Sequence, residues 1–132
     1  MSARFHWSGT IPMVVHITAL IGVAAGLGLV LWAMAVNRFF SPAVRIQEER
    51  GHHVITSGPY RLVRHPGYAG MIVAALCSGP ALGSWWAILP IAAYILLILR
   101  RAAVEDRFLQ AELRGYADYA RRVRSRLVPG IW

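Results

Sequence analysis

Two long stretches of the chain contain no charged side chain. Residues 5–37 and residues 65–99 hold no Asp, Glu, Lys or Arg and consist mainly of Leu, Ile, Val, Ala and Gly. A helix needs about 20 apolar residues to cross a membrane, so each stretch is long enough for at least one crossing. The first stretch predicts a membrane-spanning helix over 11–37, on which Gly22 and Gly26 have the spacing that favours close packing against another helix.

The second stretch is too long for one crossing and predicts a helical hairpin over 66–114. Gly79-Pro80 and Gly83-Ser84 interrupt the apolar run and place a turn there. We therefore expect one short helix near 66–79 and a long helix from about 85 to 114. At 1.5 Å per residue the second helix projects beyond the hydrocarbon layer and carries its last charged residues into the interface.

The remaining segments are polar, basic and rich in turn residues. Residues 38–65 predict a loop, and residues 115–132 predict a helical tail in which Gly115 breaks the helix and Pro129 ends it. The helical pattern in the tail is a stripe with steps of three and four residues, formed by Leu109, Leu113, Tyr116, Ala120, Val123 and Leu127.

Composition places the chain among membrane proteins. Its 132 residues allow one domain, and 57% apolar with 15% charged residues argues against both a soluble and a disordered chain. All 14 basic residues are Arg, and 13 of them lie in 38–64 and 100–126, which flank the apolar stretches. This distribution predicts that both segments are cytoplasmic, with the hairpin tip at 79–84 and the N-terminus outside. It also indicates that the basic residues behind the net charge of +8 interact with membrane lipids rather than with nucleic acid.

Two cytoplasmic segments carry the candidate chemistry. One reads HHVITSGPY and continues as VRHPGYAG over 63–70, and the other reads RAAVEDRFL over 101–109, with a Tyr-rich tail after it. Taken singly, each of these residues could anchor a helix at the lipid headgroups or take part in an ordinary ion pair within a helix. Together they bring an Arg, a His, two Tyr and an acidic pair to the cytoplasmic ends of adjacent helices.

The pattern G-P-Y-x-x-x-R-H-P-x-Y-x-G, followed about 35 residues later by E-D-x-x-L, resembles the isoprenylcysteine carboxyl methyltransferase family. The resemblance covers about residues 37–132, and the related phospholipid methyltransferases share part of it. It implies a polytopic enzyme that binds S-adenosylmethionine between the last two membrane helices, the preceding loop and the C-terminal tail. It also implies a lipophilic substrate that arrives from the bilayer.

The same resemblance assigns roles to individual residues. It implies that Arg64 and Arg101 lie near the methyl acceptor and act in catalysis. It implies a cofactor site formed by Gln47, His52, Val54, Ile55, Tyr60, His65, Pro66, Gly67, Tyr68 and Glu105. Family members have further helices before the first span, so a second subunit or a homo-oligomer is expected to supply the missing walls of the substrate tunnel.

These residue types suit the expected reaction. Aromatic faces attract the sulfonium of the cofactor, Glu105 can accept from its hydroxyl or ammonium groups, and His65 beside a helix N-terminus can meet its carboxylate. An Arg can hold an acceptor carboxylate by a planar fork, and such a nucleophile is already ionised at neutral pH. No metal is expected, because His52, His53 and His65 lack a fourth ligand.

Two other functions compete with this interpretation. The ending VRSRLVPGIW resembles the close of NADPH-dependent membrane sterol reductases, and Arg121, Arg122, Arg124 and Arg126 could serve a 2′-phosphate. The second alternative is a membrane scaffold without catalysis, whose arginines bind anionic lipid. The sequence predicts an all-α integral membrane protein of about three transmembrane helices with its active site facing the cytoplasm.

Overall fold

The computed structural model describes residues 10–132, which fold into four helices and contain no strand. Helix α1 spans Met13–Val36, α2 spans Pro66–Ala81, α3 spans Ile88–Glu112 and α4 spans Tyr116–Arg122. Three 3₁₀ turns lie between them, at Glu48–Arg50, Gly58–Arg61 and Trp85–Ala87. The prediction of an all-helical fold is confirmed for this part of the chain.

Two helical segments are long and apolar enough to cross a membrane, Met13–Val36 and Trp85–Glu112. Only 11% of each apolar window is buried within the protein, whereas the core helix of a soluble protein is mostly buried. Large side chains such as Leu31 on α1 and Leu96 on α3 remain more than half exposed. Exposed apolar surface of this extent is normal against lipid and unusual in a soluble monomer.

Helices α1 and α2 pack in close contact because glycines line their interface. A Cβ placed on Gly26 would lie 2.6 Å from both the Ala74 nitrogen and the Gly70 oxygen. A Cβ on Gly70 would lie 2.5 Å from the Gly26 oxygen. The packing expected from Gly22 and Gly26 is therefore confirmed, and it involves backbone directly against backbone.

The hairpin turn lies later than the sequence suggested. The first hairpin helix, expected near 66–79, ends two residues later, since α2 continues through Pro80 to Ala81. Pro80 lies in the last turn, where its missing N–H removes only one helical hydrogen bond. The Leu82 N–H then bonds to the Ser78 carbonyl and the Ser84 N–H to the Gly79 carbonyl, which closes the turn.

The C-terminal tail is helical over a shorter range than expected. Gly115 has a φ of 86° and separates α3 from α4, as predicted. The expectation that the helix continues to Pro129 is wrong, because α4 ends at Arg122. Beyond that point the carbonyls of Val123 and Arg124 accept hydrogen bonds from the Arg64 side chain instead of from a continuing helix.

Candidate functional site

A cavity of about 450 Å³ lies where the helices and the polar loop meet. Its walls are the end of α1 with the loop that follows it, the start of α2, the C-terminal half of α3, and α4. Ten of the twelve predicted site residues line it: His52, Val54, Ile55, Tyr60, Arg64, His65, Gly67, Tyr68, Arg101 and Glu105. Gln47 and Pro66 do not, and both are buried beside it.

One wall of the cavity is a hydrogen-bonded group that joins α2 to α3. The Tyr68 hydroxyl donates to Glu105 Oε2 at 2.5 Å and accepts from Arg101 Nε at 2.7 Å. Arg101 Nη2 also donates to the Pro42 carbonyl in the loop after α1. The second carboxylate oxygen of Glu105 and the Nη1 of Arg101 have no partner among residues 10–132. Both therefore remain available to a ligand.

A second group lies behind the cavity wall and centres on Asp106, a residue that the sequence analysis did not assign to the site. Its carboxylate is completely buried and accepts hydrogen bonds from both Nε and Nη2 of Arg64, at 2.7 and 2.8 Å. It also accepts from His65 Nε2, from the Tyr116 hydroxyl and from Arg126 Nε, at 3.2, 3.0 and 3.1 Å. Adjacent residues on a helix point about 100° apart, so Glu105 can face the cavity while Asp106 faces away from it.

Arg64 lies on the cavity wall, but most of its donors are already engaged. Its Nε and one hydrogen of Nη2 bind Asp106, and its Nη1 bonds to the carbonyls of Val123 and Arg124, both at 2.8 Å. The pKa of the Arg64 guanidinium is raised above its usual value, because hydrogen bonds and charge from Asp106 outweigh the effect of burial. Arg64 thus connects the carboxylate to the tail, and Arg101 has more donor capacity for a ligand.

The loop that precedes α2 is built around the Phe39 ring, which is 4% exposed. His52 stacks on that ring with centroids 4.4 Å apart, and Gln47 Nε2 donates to the Phe39 carbonyl at 2.8 Å. Gln47 also accepts from Arg50, so its side-chain amide supports the loop from outside the cavity. The sequence predicted that Gln47 contacts the cofactor. In the structure its side chain is buried and contacts the loop instead.

His52 is held in one tautomer by the same loop. Its Nδ1 accepts the Gln47 N–H at 3.2 Å, so the neutral ring carries its proton on Nε2. Burial lowers the pKa of His52 below its ordinary value of 6.5, and the neighbouring His53 and Arg50 lower it further. A neutral His52 that donates from Nε2 is therefore the form expected at the cavity wall.

Tyr60 forms the wall opposite α3 and stays protonated. Its hydroxyl accepts from Asn37 at 3.2 Å and donates to the Ala33 carbonyl at 3.4 Å, and burial raises its pKa to about 12. The Tyr119 hydroxyl donates to the Tyr60 carbonyl at 2.6 Å. Burial also raises the pKa of Tyr119 and, with the help of Asp106, that of Tyr116. These phenols act as neutral hydrogen-bonding and aromatic surfaces.

Sequence reasoning did not assign Asp106 or Tyr116 to the site, although Tyr116 lines the cavity. Asp106 was recognised only as half of an acidic pair, and Tyr116 only as part of the helical stripe and of the Tyr-rich tail. The available signal was the adjacency of two carboxylates on one helix, since a second carboxylate that points away from the cavity needs buried partners of its own. Residues 10–132 contain no cluster of three His, Cys, Asp or Glu that could hold a metal ion.

Over residues 10–132 the fold is that of an all-helical membrane protein with a cavity at the ends of its helices. A model of the isoprenylcysteine carboxyl methyltransferase family matches residues 10–111. Because this match covers most of the chain, the chain belongs to the isoprenylcysteine carboxyl methyltransferase family, and the resemblance found in the sequence is confirmed.

Individual relatives agree with this membership. The probable protein-S-isoprenylcysteine O-methyltransferase of Oryza sativa subsp. indica is 36% identical over 109 residues, which cover 76% of this chain and 56% of that protein. Protein-S-isoprenylcysteine O-methyltransferase B of Arabidopsis thaliana is 28% identical over 109 residues, which cover 75% of this chain and 53% of that protein. The chain spans about half the length of these curated relatives.

A relative from another reaction class also matches. The delta(14)-sterol reductase of Mus musculus is 32% identical over 87 residues, which cover 62% of this chain and 20% of that protein. The match covers a smaller part of both proteins than the methyltransferase matches do.

Proposed function

We propose that this protein is a membrane methyltransferase that moves a methyl group from S-adenosylmethionine to a lipophilic acceptor. The observation that carries the proposal is the group of Tyr68, Glu105 and Arg101 on the wall of a cavity of about 450 Å³. The chain belongs to a family whose curated members are named methyltransferases, and this supports the same reaction class.

The residues at the cavity fit the cofactor chemically. One oxygen of Glu105 has no partner in the described part of the chain, and it suits a hydroxyl or ammonium donor of the cofactor. The cavity is also lined by the aromatic rings of Phe40, Tyr60 and Tyr68, whose faces attract a cation. When bound, S-adenosylmethionine supplies the methyl group from its sulfonium. The rings and Glu105 would hold and orient it, and the buried walls would keep water out.

The acceptor contact is assigned to Arg101. Its Nη1 has no partner among residues 10–132, whereas Arg64 already binds Asp106 and the tail. An acceptor carboxylate, as in isoprenylcysteine, is ionised at neutral pH, so Arg101 would orient it and no base would be needed. The apolar side chains of Met34, Met71 and Ile98 form another part of the cavity wall and suit the hydrocarbon portion of such an acceptor.

The proposal includes the arrangement in the membrane. We place the whole chain in one membrane domain with three helices in the bilayer, α1 and the α2–α3 hairpin, and the cavity on the cytoplasmic side. The clusters of Arg in 38–64 and 100–126 support this orientation.

Calorimetry in detergent micelles tests the cofactor site. We expect S-adenosylmethionine to bind the wild type and to bind Glu105→Gln roughly tenfold or more weakly, because a hydrogen bond to a charged group contributes about 1.5–3 kcal/mol. The matched control is Glu112→Gln on the same helix, which is exposed and lies outside the cavity lining. Equal affinity of the two variants would contradict the proposed site.

Methyl transfer tests the role of Arg101. With labelled cofactor and a lipid extract or a panel of lipophilic acids, Arg101→Lys should bind the cofactor normally. Its turnover should fall about tenfold for each 1.4 kcal/mol of lost transition-state stabilisation, because Lys keeps the charge but lacks the fork. The control is Arg100→Lys, an exposed neighbour. Full turnover in Arg101→Lys would remove Arg101 from the reaction.

A sterol-reductase-like oxidoreductase is the second candidate, and the match to the mouse delta(14)-sterol reductase favours it. It predicts that NADPH, and not S-adenosylmethionine, binds in the same calorimetric experiment. Binding of neither ligand would instead support a scaffold without catalysis. The three outcomes are mutually exclusive, so one set of titrations distinguishes them.

A further inference from the structure

Asp106 connects four separate parts of the chain through one buried carboxylate. Its Oδ1 accepts from Arg64 Nε, His65 Nε2 and the Tyr116 hydroxyl. Its Oδ2 accepts from Arg64 Nη2, Gln110 Nε2 and Arg126 Nε. The donors come from the segment before α2, from α3 itself, from α4 and from the tail. Because a buried charge is costly without such partners, these segments are held in one arrangement.

The contact with His65 fixes the protonation pattern of that ring. His65 is 6% exposed and lines the cavity, and its Nε2 lies 3.2 Å from Asp106 Oδ1. A carboxylate only accepts, so Nε2 must carry the proton. The other nitrogen, Nδ1, has no partner among residues 10–132. With the proton on Nε2, Nδ1 of the uncharged ring is a hydrogen-bond acceptor rather than a donor.

The contact with Arg64 holds the tail against the same segment. Arg64 Nη1 donates to the carbonyls of Val123 and Arg124. The backbone adds two further bonds, from the Arg64 N–H to the Ser125 carbonyl at 3.0 Å and from the His65 N–H to the Arg126 carbonyl at 2.8 Å. The position of the tail and the position of the His65 ring therefore depend on the same carboxylate.

We propose that Asp106 is a positioning residue of the cofactor site. It holds His65 as the Nε2–H tautomer, so that Nδ1 accepts a hydrogen bond from an N–H or O–H donor of the cofactor, and it fixes the tail through Arg64. The proposal rests on the proposed function for the identity of the ligand. The sequence led to the expectation that His65 donates to the carboxylate of the cofactor. In this proposal His65 instead accepts a hydrogen bond from the cofactor.

Nitrogen NMR of the histidine rings measures the tautomer directly. In wild type labelled with ¹⁵N-histidine, we expect His65 to show a protonated Nε2 and an unprotonated Nδ1 whose signal shifts when S-adenosylmethionine is added. In Asp106→Asn an amide NH₂ can face the ring, so the Nδ1–H tautomer should become populated. Cofactor affinity should fall by roughly tenfold, because a protonated Nδ1 can no longer accept a hydrogen bond from the cofactor.

Asp118→Asn is the matched control, because Asp118 is an exposed acid on α4 whose ion pair within residues 10–132 is with Arg121 alone. It should match wild type in both measurements. A purely structural role for Asp106 would leave the His65 tautomer unchanged in Asp106→Asn, and that result overturns the proposal. If Asp106→Asn does not fold, wild type alone decides: a His65 ring protonated on Nδ1, or an Nδ1 signal that the bound cofactor leaves unmoved, overturns the proposal.

The two proposals fail in different ways. A wild type that does not bind S-adenosylmethionine contradicts the proposed function and, with it, the cofactor contact of Nδ1. If the wild type binds S-adenosylmethionine and Asp106→Asn binds it equally well, only the positioning role is contradicted. The tautomer measured without ligand tests the contact between Asp106 and His65 in either case.

Discussion

The backbone contact between α1 and α2 gives a sharp test of the packing. Gly26 on α1 faces Gly70 and Ala74 on α2, and a Cβ built on Gly26 would lie 2.6 Å from backbone atoms of both residues. Ordinary contacts of a Cβ begin at 3.4 Å. Gly26→Ala therefore requires α1 and α2 to separate by about 1 Å, since backbone atoms cannot rotate out of the way as a side chain can.

The expected cost follows from two opposing effects. Overpacking of this kind costs about 1–3 kcal/mol. Alanine in a helix gains about 0.5–1 kcal/mol over glycine, which offsets part of that cost. Gly28→Ala on the same helix should show the gain without the cost, because a Cβ on Gly28 meets nothing within 4 Å. The difference between the two variants isolates the contact between α1 and α2.

The single cysteine supplies the assay. Cys77 lies on α2 beside Gly22, is partly buried, and is the only thiol in the sequence. A thiol-reactive fluorescent dye therefore reports thermal unfolding in detergent. Gly26→Ala should unfold roughly 3–15 °C below Gly28→Ala, because the difference of about 1–3 kcal/mol shifts the midpoint by about 3–5 °C per kcal/mol in a domain of this size. Equal midpoints would show that α1 and α2 do not approach as closely as the structure has them.

Two further predictions concern orientation and pH. In a Cys77→Ser background, a cysteine at Ser84 should react with an impermeant maleimide added outside the cell and one at Ser57 should not; the opposite labelling pattern would contradict a cytoplasmic cavity. The lowered pKa of His52 means that the unfolded chain binds more protons than the native one as the pH falls below 6.5. Stability should therefore decrease from about pH 7.5 to about pH 5.5, and His52→Gln should lose less, as measured by thermal midpoints in detergent; an identical loss in both proteins would exclude His52 as the cause.

The membrane helices could be predicted from the sequence because charge is excluded from them. The end of the tail helix could not, because hydrogen bonds between distant residues decide it. Nothing in the periodicity around Val123 indicates that its carbonyl bonds to Arg64, 59 positions away. Leu113 and Tyr116 of the predicted stripe form a buried cluster with Tyr119, which was not part of the stripe.

The candidate site could be predicted in part, because sequence motifs identify residues but not their side-chain partners. The motif around His65 and Tyr68 and the pair Arg101 and Glu105 identified residues that do line one cavity. The side-chain partners of each residue were not predictable, because they depend on how α2, α3 and α4 meet. Gln47 was expected in the cavity and supports the loop, and Arg64 holds Asp106 and the tail.

The shortness of α2 constrains how the protein enters the membrane during synthesis. Its 16 residues extend about 24 Å, whereas the hydrocarbon core is about 30 Å thick and an independent crossing needs about 20 residues. The translocon should therefore not release α2 into lipid until α3, with 25 residues, has been made. In the proposed membrane arrangement, α1 would enter the bilayer first with Gly26 facing lipid, and α2 would join it as half of a hairpin. Assembly of the cavity would then be the last step of insertion, completed only after α4 and the tail that follows it have left the ribosome.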